Sequence, residues 1–306
     1  MKIYINRSPV SGPWGGGNKT VTALADKLEQ RGHEVVYELA RDLDIIFCFD
    51  PRPNSRGEWY QTYVDYKYVF KDTKIIQRVG DLGTHGKPEL TELVRETINF
   101  SDYAIFPSKW AKEYLGPLSR PHTVIDNAPL KTFFKSRSHS TGVSGKLKIV
   151  THHWSTNPKK GFEYYKFLDK HIVENDNDLA FTYIGRLPDN LRFMKANYHP
   201  PTGDNSILAD LLSQNHVYLT ASEEEAGANH VLEAMASGLP VIYHKNGGSI
   251  ANYCEDYGIG YDSNDSLIEA VAKVKENFEH YKRNIMGFHR NMEQAIEEYV
   301  EIIENV

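Results

Sequence analysis

Ser222-Glu223-Glu224-Glu225-Ala226-Gly227-Ala228-Asn229-His230-Val231-Leu232-Glu233-Ala234-Met235-Ala236-Ser237-Gly238-Leu239-Pro240-Val241-Ile242 is the stretch whose reading decides the fold. It reads as acidic loop, helix and strand, and the apolar run Val217-Tyr218-Leu219-Thr220-Ala221 before it reads as a buried parallel strand. Gly227 lets the backbone turn sharply before a helix that begins near Asn229, which is placed to cap it. Val231, Leu232, Met235 and Ala236 give that helix its apolar face, Gly238 ends it, and Leu239 to Ile242 open the next strand. Glu225 is left at the loop rim, with Glu233 inside the helix. Between them the helix N-terminus offers free N–H donors and the positive end of a dipole, which suits a phosphate. The plain alternative is a solvated acidic loop ahead of an ordinary amphipathic helix.

With Ala-Gly inside it and Glu-Ala-Met-Ala-Ser-Gly-Leu-Pro-Val following, the run resembles the Glu-x7-Glu signature of retaining GT-B glycosyltransferases of family 4. The resemblance implies an α/β fold of the GT-B type, with two Rossmann-like domains facing across a cleft. It also implies roles. Glu225 would approach the donor sugar hydroxyls, the backbone of Gly227, Ala228 and Asn229 would face sugar and diphosphate, and Glu233 would hold the ribose hydroxyls.

Toward the N-terminus, Lys2 to Asn6 reads as a strand, followed by a glycine-rich loop and a helix with Val21, Leu24, Ala25 and Leu28 on its buried face. Gly32 closes that helix and residues 33–37 form a second strand, making a Rossmann-like βαβ unit. Gly15, Gly16 and Gly17 do not fit a dinucleotide fingerprint, because Thr20 follows where another glycine is required. Nor do they fit a Walker A loop, because Asn18 separates the last glycine from Lys19. In family 4 a glycine loop at this place lets the N-terminal domain approach the donor diphosphate; a plain tight turn is the other reading. Trp59, Tyr60, Tyr63, Tyr66, Tyr68 and Phe70 stand at mixed spacing and read as core and rim rather than as a sugar-stacking groove. The strand Lys74 to Val79 exits into Gly80-Asp81-Leu82-Gly83-Thr84-His85. Family members carry a His-Asp-Leu-like sequence there: Asp81 matches, Gly80 replaces the histidine, and His85 is the candidate for the missing imidazole.

Toward the C-terminus, the polar, glycine-rich stretch 138–145 reads as the domain boundary. It gives an acceptor-side domain over 1–140, a nucleotide-sugar domain over 146–287, and a helix over 288–306, striped by Phe288, Met292, Ile296, Tyr299, Val300 and Ile303, that packs back on the first domain. Lys131-Thr132-Phe133-Phe134-Lys135-Ser136-Arg137 mixes basic and aromatic residues as membrane-surface patches do, or else packs its phenylalanines as a linker. After a strand over 147–151, His152-His153-Trp154-Ser155-Thr156-Asn157-Pro158-Lys159-Lys160-Gly161 resembles the family's Arg-x(4–5)-Lys-Gly diphosphate loop. Lys160-Gly161 fits. Trp154 or Ser155 takes the place of the arginine, leaving Lys159, Arg186 and the histidines, His153 among them, as candidate replacements. Gly247-Gly248-Ser249 is a second glycine-to-helix junction and a further potential phosphate seat.

The 306 residues are 40% hydrophobic and 25% charged, as in a globular protein of two domains. Residues 1–145 carry 20 Lys+Arg against 17 Asp+Glu, and residues 146–306 carry 15 against 24, so the halves have net charges of +3 and −9. Neither is the strongly basic surface of a nucleic-acid protein. No apolar run approaches a membrane span, and the first strand stands where a signal peptide would, so a cytoplasmic protein with at most peripheral membrane contact is expected. Cys48 and Cys254 lie in different domains with no metal-ligand spacing and read as buried thiols. Asp42-Leu43-Asp44 and Asp176-Asn177-Asp178 match the metal-binding Asp-x-Asp of GT-A enzymes in the wrong fold, and no metal or other cofactor is assigned. The expected chemistry is glycosyl transfer from a UDP- or GDP-sugar type of donor to a sugar, lipid-linked or small-molecule acceptor. Glu225, Lys160, Asp81 and His85 are the candidate catalytic residues. A non-catalytic nucleotide-sugar or glycan-binding protein of the same fold is the alternative.

Overall fold

The computed structural model describes residues 1–10, 16–140, 142–175 and 178–306, which form two units. The first comprises Met1–Asn127 and Met292–Val306. Its strands are β1 (Lys2–Ile5), β2 (Glu34–Val36), β3 (Ile45–Cys48), β4 (Lys74–Arg78), β5 (Tyr103–Phe106) and β6 (His122–Val124), all parallel in the order β2-β1-β3-β4-β5-β6. Helices α1 (Gly16–Gln30), α2 (Tyr60–Val69), α3 (Pro88–Ile98) and α4 (Lys109–Leu115) connect them. Every residue of β3 is buried, as a parallel strand covered on both faces requires. Tyr60 and Tyr63 are buried with Tyr4 in the core, whereas Tyr68 is exposed, so the aromatic segment is indeed core and rim. The last helix of the chain, α12 (Met292–Asn305), buries Met292, Ala295, Ile296, Tyr299, Val300 and Ile303 and packs on α1, where Lys27 and Arg31 both reach Glu297.

The second unit, Ala128–Asn291, holds β7 (Leu147–His153), β8 (Leu179–Gly185), β9 (Asn197–His199), β10 (Val217–Thr220), β11 (Val241–His244) and β12 (Gly258–Tyr261), parallel in the order β12-β11-β10-β7-β8-β9. Its helices are α5 (Lys131–Lys135), α6 (Phe162–Asn175), α7 (Asn205–Ser213), α8 (Asn229–Ala236), α9 (Ser249–Cys254), α10 (Asn264–Glu276) and α11 (Phe278–Met286). Strand order reverses between β7 and β10 here, and between β1 and β3 in the first unit. In doubly wound sheets, ligands bind at the carboxyl ends of the strands beside such a reversal.

The chain enters the second unit at Ala128, ahead of the polar stretch 138–145. The reason is packing. Phe133 is fully buried in the second unit's core beside α7 and α8, and Phe134 stacks on Phe288 at 6.0 Å. Arg137 is tied to carbonyls: Nε donates to Ala236 at 3.0 Å, Nη1 to Met286 at 3.0 Å and Nη2 to Phe288 at 2.5 Å. Phe133, Phe134 and Arg137 are thus packed into the second unit, while Lys131 and Lys135 are exposed. Cys48 and Cys254 are buried thiols, and among the described residues no helix is long and apolar enough to cross a membrane.

Candidate active site

Beside the reversal in the second unit, the loops leaving β7, β10 and β11 are drawn together by two glycines. Gly161 has φ +71°, and a Cβ there would stand 2.3 Å from the Ala221 carbonyl oxygen. Gly248 has φ +68°, and a Cβ there would stand 2.7 Å from both the N and the O of Glu225. Only glycine allows either approach. The acidic loop is then laced to its neighbours through its backbone: Glu223 N–H donates to Lys159 O (2.9 Å), Glu224 N–H to Asn246 O (2.8 Å), Glu225 N–H to Gly247 O (3.2 Å), and Ser249 N–H to Glu225 O (2.9 Å). Gly247-Gly248-Ser249, read as a potential phosphate seat, is the junction that receives this lacing. The Ser249 N–H is spent on Glu225, and the junction holds that residue in place.

Lacing sets the charges. Lys160 and Glu225, 65 residues apart in sequence, form an ion pair whose side chains are only 12% and 14% exposed. Lys159 and Glu224 form a second, more open pair. Glu233 on α8 is 4% exposed, and its Oε2 lies 3.0 Å from His152 Nε2; the His152 Nδ1 lies 3.1 Å from the Tyr218 hydroxyl. His153, expected among the diphosphate cations, is placed otherwise. It is buried, its Nε2 is 2.6 Å from the Tyr165 hydroxyl, and burial, with His230 and Lys160 adding to it, pushes its pKa well below the ordinary value. It is a neutral member of the core. Burial, opposed by Glu225, likewise lowers His230 to about 3; its Nε2 is 3.1 Å from Thr220 Oγ1.

The start of α8 also differs from expectation. Ala228, not Asn229, occupies the cap position, and the Asn229 side chain donates back to Gly227 O at 3.4 Å. Capping is supplied from outside the helix, since the Ala228 N–H donates to Ser249 Oγ at 3.1 Å. Among the described residues, the first-turn N–H groups of Asn229 and His230 have no partner. Trp154 packs against the core, so no cation stands where the arginine of the diphosphate loop was sought. Arg186 is exposed beyond the end of β8, its N–H donating to His153 O at 3.0 Å.

The other candidates lie in the first unit. Asp81 shapes the β4–α3 loop: Oδ1 accepts the Gly83 N–H at 2.9 Å and Oδ2 pairs with Lys87 at 3.1 Å. Burial pushes its carboxyl up, but the Gly83 N–H, Lys87 and Arg52 together hold it below its ordinary value. His85 is half-buried in the same loop. Gly16 and Gly17 open α1, and Gly15 lies outside the described residues. Asp44 accepts the Lys2 N–H at 2.6 Å at the amino end of β3, the end opposite the reversal site, while Asp176 and Asn177 lie outside the described residues. Among the described residues no group of His, Cys, Asp and Glu is arranged to hold a metal ion. Sequence reasoning gave Tyr218 no role beyond its strand, placed Ser249 in a phosphate seat rather than beside the Ala228 N–H, and counted His152 among the replacement cations rather than as the partner of Glu233. A tyrosine inside an apolar strand was the available signal, since its buried hydroxyl needs a partner.

Residues 157–287 match the family model described as glycosyl transferases group 1. No curated protein matches the chain. Among solved structures, sucrose-phosphate synthase from Thermosynechococcus elongatus is similar over 99% of this chain and 98% of its own, with 14% identity and a TM-score of 0.70. WaaG, a glycosyltransferase involved in lipopolysaccharide biosynthesis, is similar over 100% of both chains, with 14% identity and a TM-score of 0.66. An alpha-glucosyltransferase solved with UDP and DNA is similar over 99% and 98%, with 13% identity and a TM-score of 0.63. The fold is that of the GT-B glycosyltransferases.

Proposed function

We propose that this protein transfers a sugar from a nucleoside-diphosphate sugar of the UDP or GDP type to an acceptor, with retention of configuration and without a metal ion. The observation that carries the reading is the Lys160–Glu225 pair, held beside the open first turn of α8 at the carboxyl ends of β7 and β10. An enclosed cation and unspent N–H groups at a helix start are what a diphosphate needs, most of all as it leaves with growing charge. Its arrival supplies Lys160 with a new anion and turns Glu225 toward the sugar hydroxyls. Glu233, its Oε2 fixed by His152, serves the ribose. Retention follows if the acceptor attacks from the leaving-group face, and then no carboxylate nucleophile is required. The matched family model and the UDP bound by the alpha-glucosyltransferase support this reading. The acceptor belongs to the sugar, lipid-linked or small-molecule classes. Because no cation replaces the family arginine at Trp154, a nucleotide-sugar-binding protein without turnover is the second reading. Screening UDP- and GDP-sugars for thermal stabilisation, then for nucleoside-diphosphate release, tests the proposal: stabilisation without release selects the second reading.

Turnover is expected to be insensitive to EDTA, because side chains and amides meet the diphosphate charge. Activity lost in EDTA and restored by magnesium or manganese would reject this.

Glu233→Ala and Glu225→Ala are expected to separate. Loss of the ribose carboxylate weakens donor and free nucleoside diphosphate alike, by about ten- to a hundred-fold for one charged hydrogen bond. Loss of Glu225 spares the free diphosphate, which has no sugar, and lowers turnover more than donor affinity. Calorimetry beside turnover decides: equal losses of diphosphate affinity in both variants would move Glu225 from the sugar to the nucleotide.

A further inference from the structure

The first unit holds cations that none of these roles uses. Arg7 follows β1, Arg52 follows β3 and Arg78 ends β4, so all stand at the carboxyl ends of strands that adjoin in the sheet, beside the reversal between β1 and β3. Asn6 ties the ends of β1 and β3 together, its Nδ2 donating to Asp50 O at 2.6 Å and its Oδ1 accepting the Phe49 N–H at 2.7 Å.

Arg78 is only 4% exposed, yet its hydrogen bonds go to neutral groups: Nε donates to the Tyr299 hydroxyl at 3.1 Å and Nη2 to Asn127 Oδ1 at 3.0 Å. Its Nη1 would lie 2.9 Å from a Cβ on Gly80, so glycine keeps that edge of the guanidinium clear. Arg7 is half-buried, with Nη1 3.1 Å from the Cβ position of Gly17 in the first turn of α1. Among the described residues its guanidinium has no hydrogen-bond or ion-pair partner. The acids nearby are engaged. Arg52 takes both oxygens of Asp50, at 2.9 and 2.6 Å, and Lys87 pairs with Asp81.

A charge withdrawn from water without a counter-ion is unfavourable, and a bound anion relieves it. Burial lowers the pKa of the Arg7 guanidinium; Asp50 opposes this, and Arg78 and Arg52 add to it. With Arg52 matched to Asp50, Arg7 and Arg78 remain as two positive charges. A phosphate monoester, carrying about −1.5 to −2 near neutral pH, balances them where one carboxylate would not. Its oxygens also suit guanidinium forks, and the adjoining N-terminal end of α1 favours an anion.

We infer that Arg7 and Arg78 form a phosphate site in the first unit, occupied by a phosphate group on the molecule that receives the sugar. Assignment to the acceptor rests on the proposed transfer reaction; the phosphate site stands without it.

Inorganic phosphate is the probe, titrated by calorimetry and thermal shift into the full chain and its Arg7→Gln variant, with and without UDP or GDP. Arg78 is left intact because its bonds to Tyr299 and Asn127 support the fold. Phosphate is expected to raise the melting temperature of the parent protein and to bind the variant about ten- to a hundred-fold more weakly, one charged hydrogen-bonding group having been lost. In phosphate-free buffer the variant melts higher than the parent, since an unmatched charge is gone, and UDP and GDP bind both alike. Absence of saturable phosphate binding, or equal binding by both proteins, overturns the site. Competition between phosphate and UDP or GDP makes the anion the donor's own diphosphate and overturns the acceptor assignment. Failure of every nucleotide sugar to release its diphosphate would remove the transfer reaction while leaving an Arg7-dependent phosphate titration as it stood.

Discussion

Lys160→Gln is expected to lower turnover by about a hundred- to a thousand-fold, the effect of removing one preorganised group that stabilises charge in a transition state. Lys160 is the enclosed cation of the second unit's site, and neither His153, which is neutral, nor Trp154, which packs against the core, can replace it. The substitution also takes the Lys160 charge from beside the Glu225 carboxylate, which is only 14% exposed, so part of any loss arises from the loop rather than from the reaction. A double variant separates the two. Lys160→Gln with Glu225→Gln removes the carboxylate's charge as well and should regain melting temperature without regaining turnover. If turnover recovers together with stability, Lys160 is a structural partner of Glu225 and nothing more.

Gly161→Ala is expected to be the most destabilising single-methyl change at this site, at about 3 kcal/mol or more. Two costs combine. A left-handed backbone at φ +71° costs an alanine about 1–2 kcal/mol, and the added Cβ stands 2.3 Å from Ala221 O and 2.5 Å from Ala221 Cβ, so the β7 and β10 loops must part. Gly32→Ala is the control. Its φ is +83° and nothing lies within 4 Å, so it carries the backbone cost alone, about 1–2 kcal/mol. Urea unfolding of the two variants measures the difference, and equal values would show that the close approach at Gly161 contributes nothing to stability.

What could be read from the sequence was local. The buried run at Val217, the apolar face of α8 and the helix-ending Gly238, at φ +79°, each carry their signal within a few residues, and each stands in the structure as read. The resemblance assigned Lys160 and Glu225 to one donor, Lys160 to its diphosphate and Glu225 to its sugar, but the ion pair between them was not read. What escaped depends on partners remote in sequence. Asn229 has the chemistry of a cap, but the oxygen that caps α8 belongs to Ser249 in the next loop. His152 and His153 are indistinguishable as letters, yet successive strand residues face opposite ways, sending one to Glu233 and the other to Tyr165. The unit boundary was sought in the polar stretch, while Phe133 and Phe134 had already committed the chain to the second core.

The first unit is discontinuous, residues 1–127 being joined by 292–306. A ribosome therefore delivers its sheet early and the helix that covers α1 last, after the whole second unit has emerged. Until Tyr299 arrives, Arg78 lacks one of its hydrogen-bond acceptors and the apolar side chains that pack against α12 stay wet. The second unit, continuous from Ala128 to Asn291, can close first, so of the two units the one begun earlier is completed later.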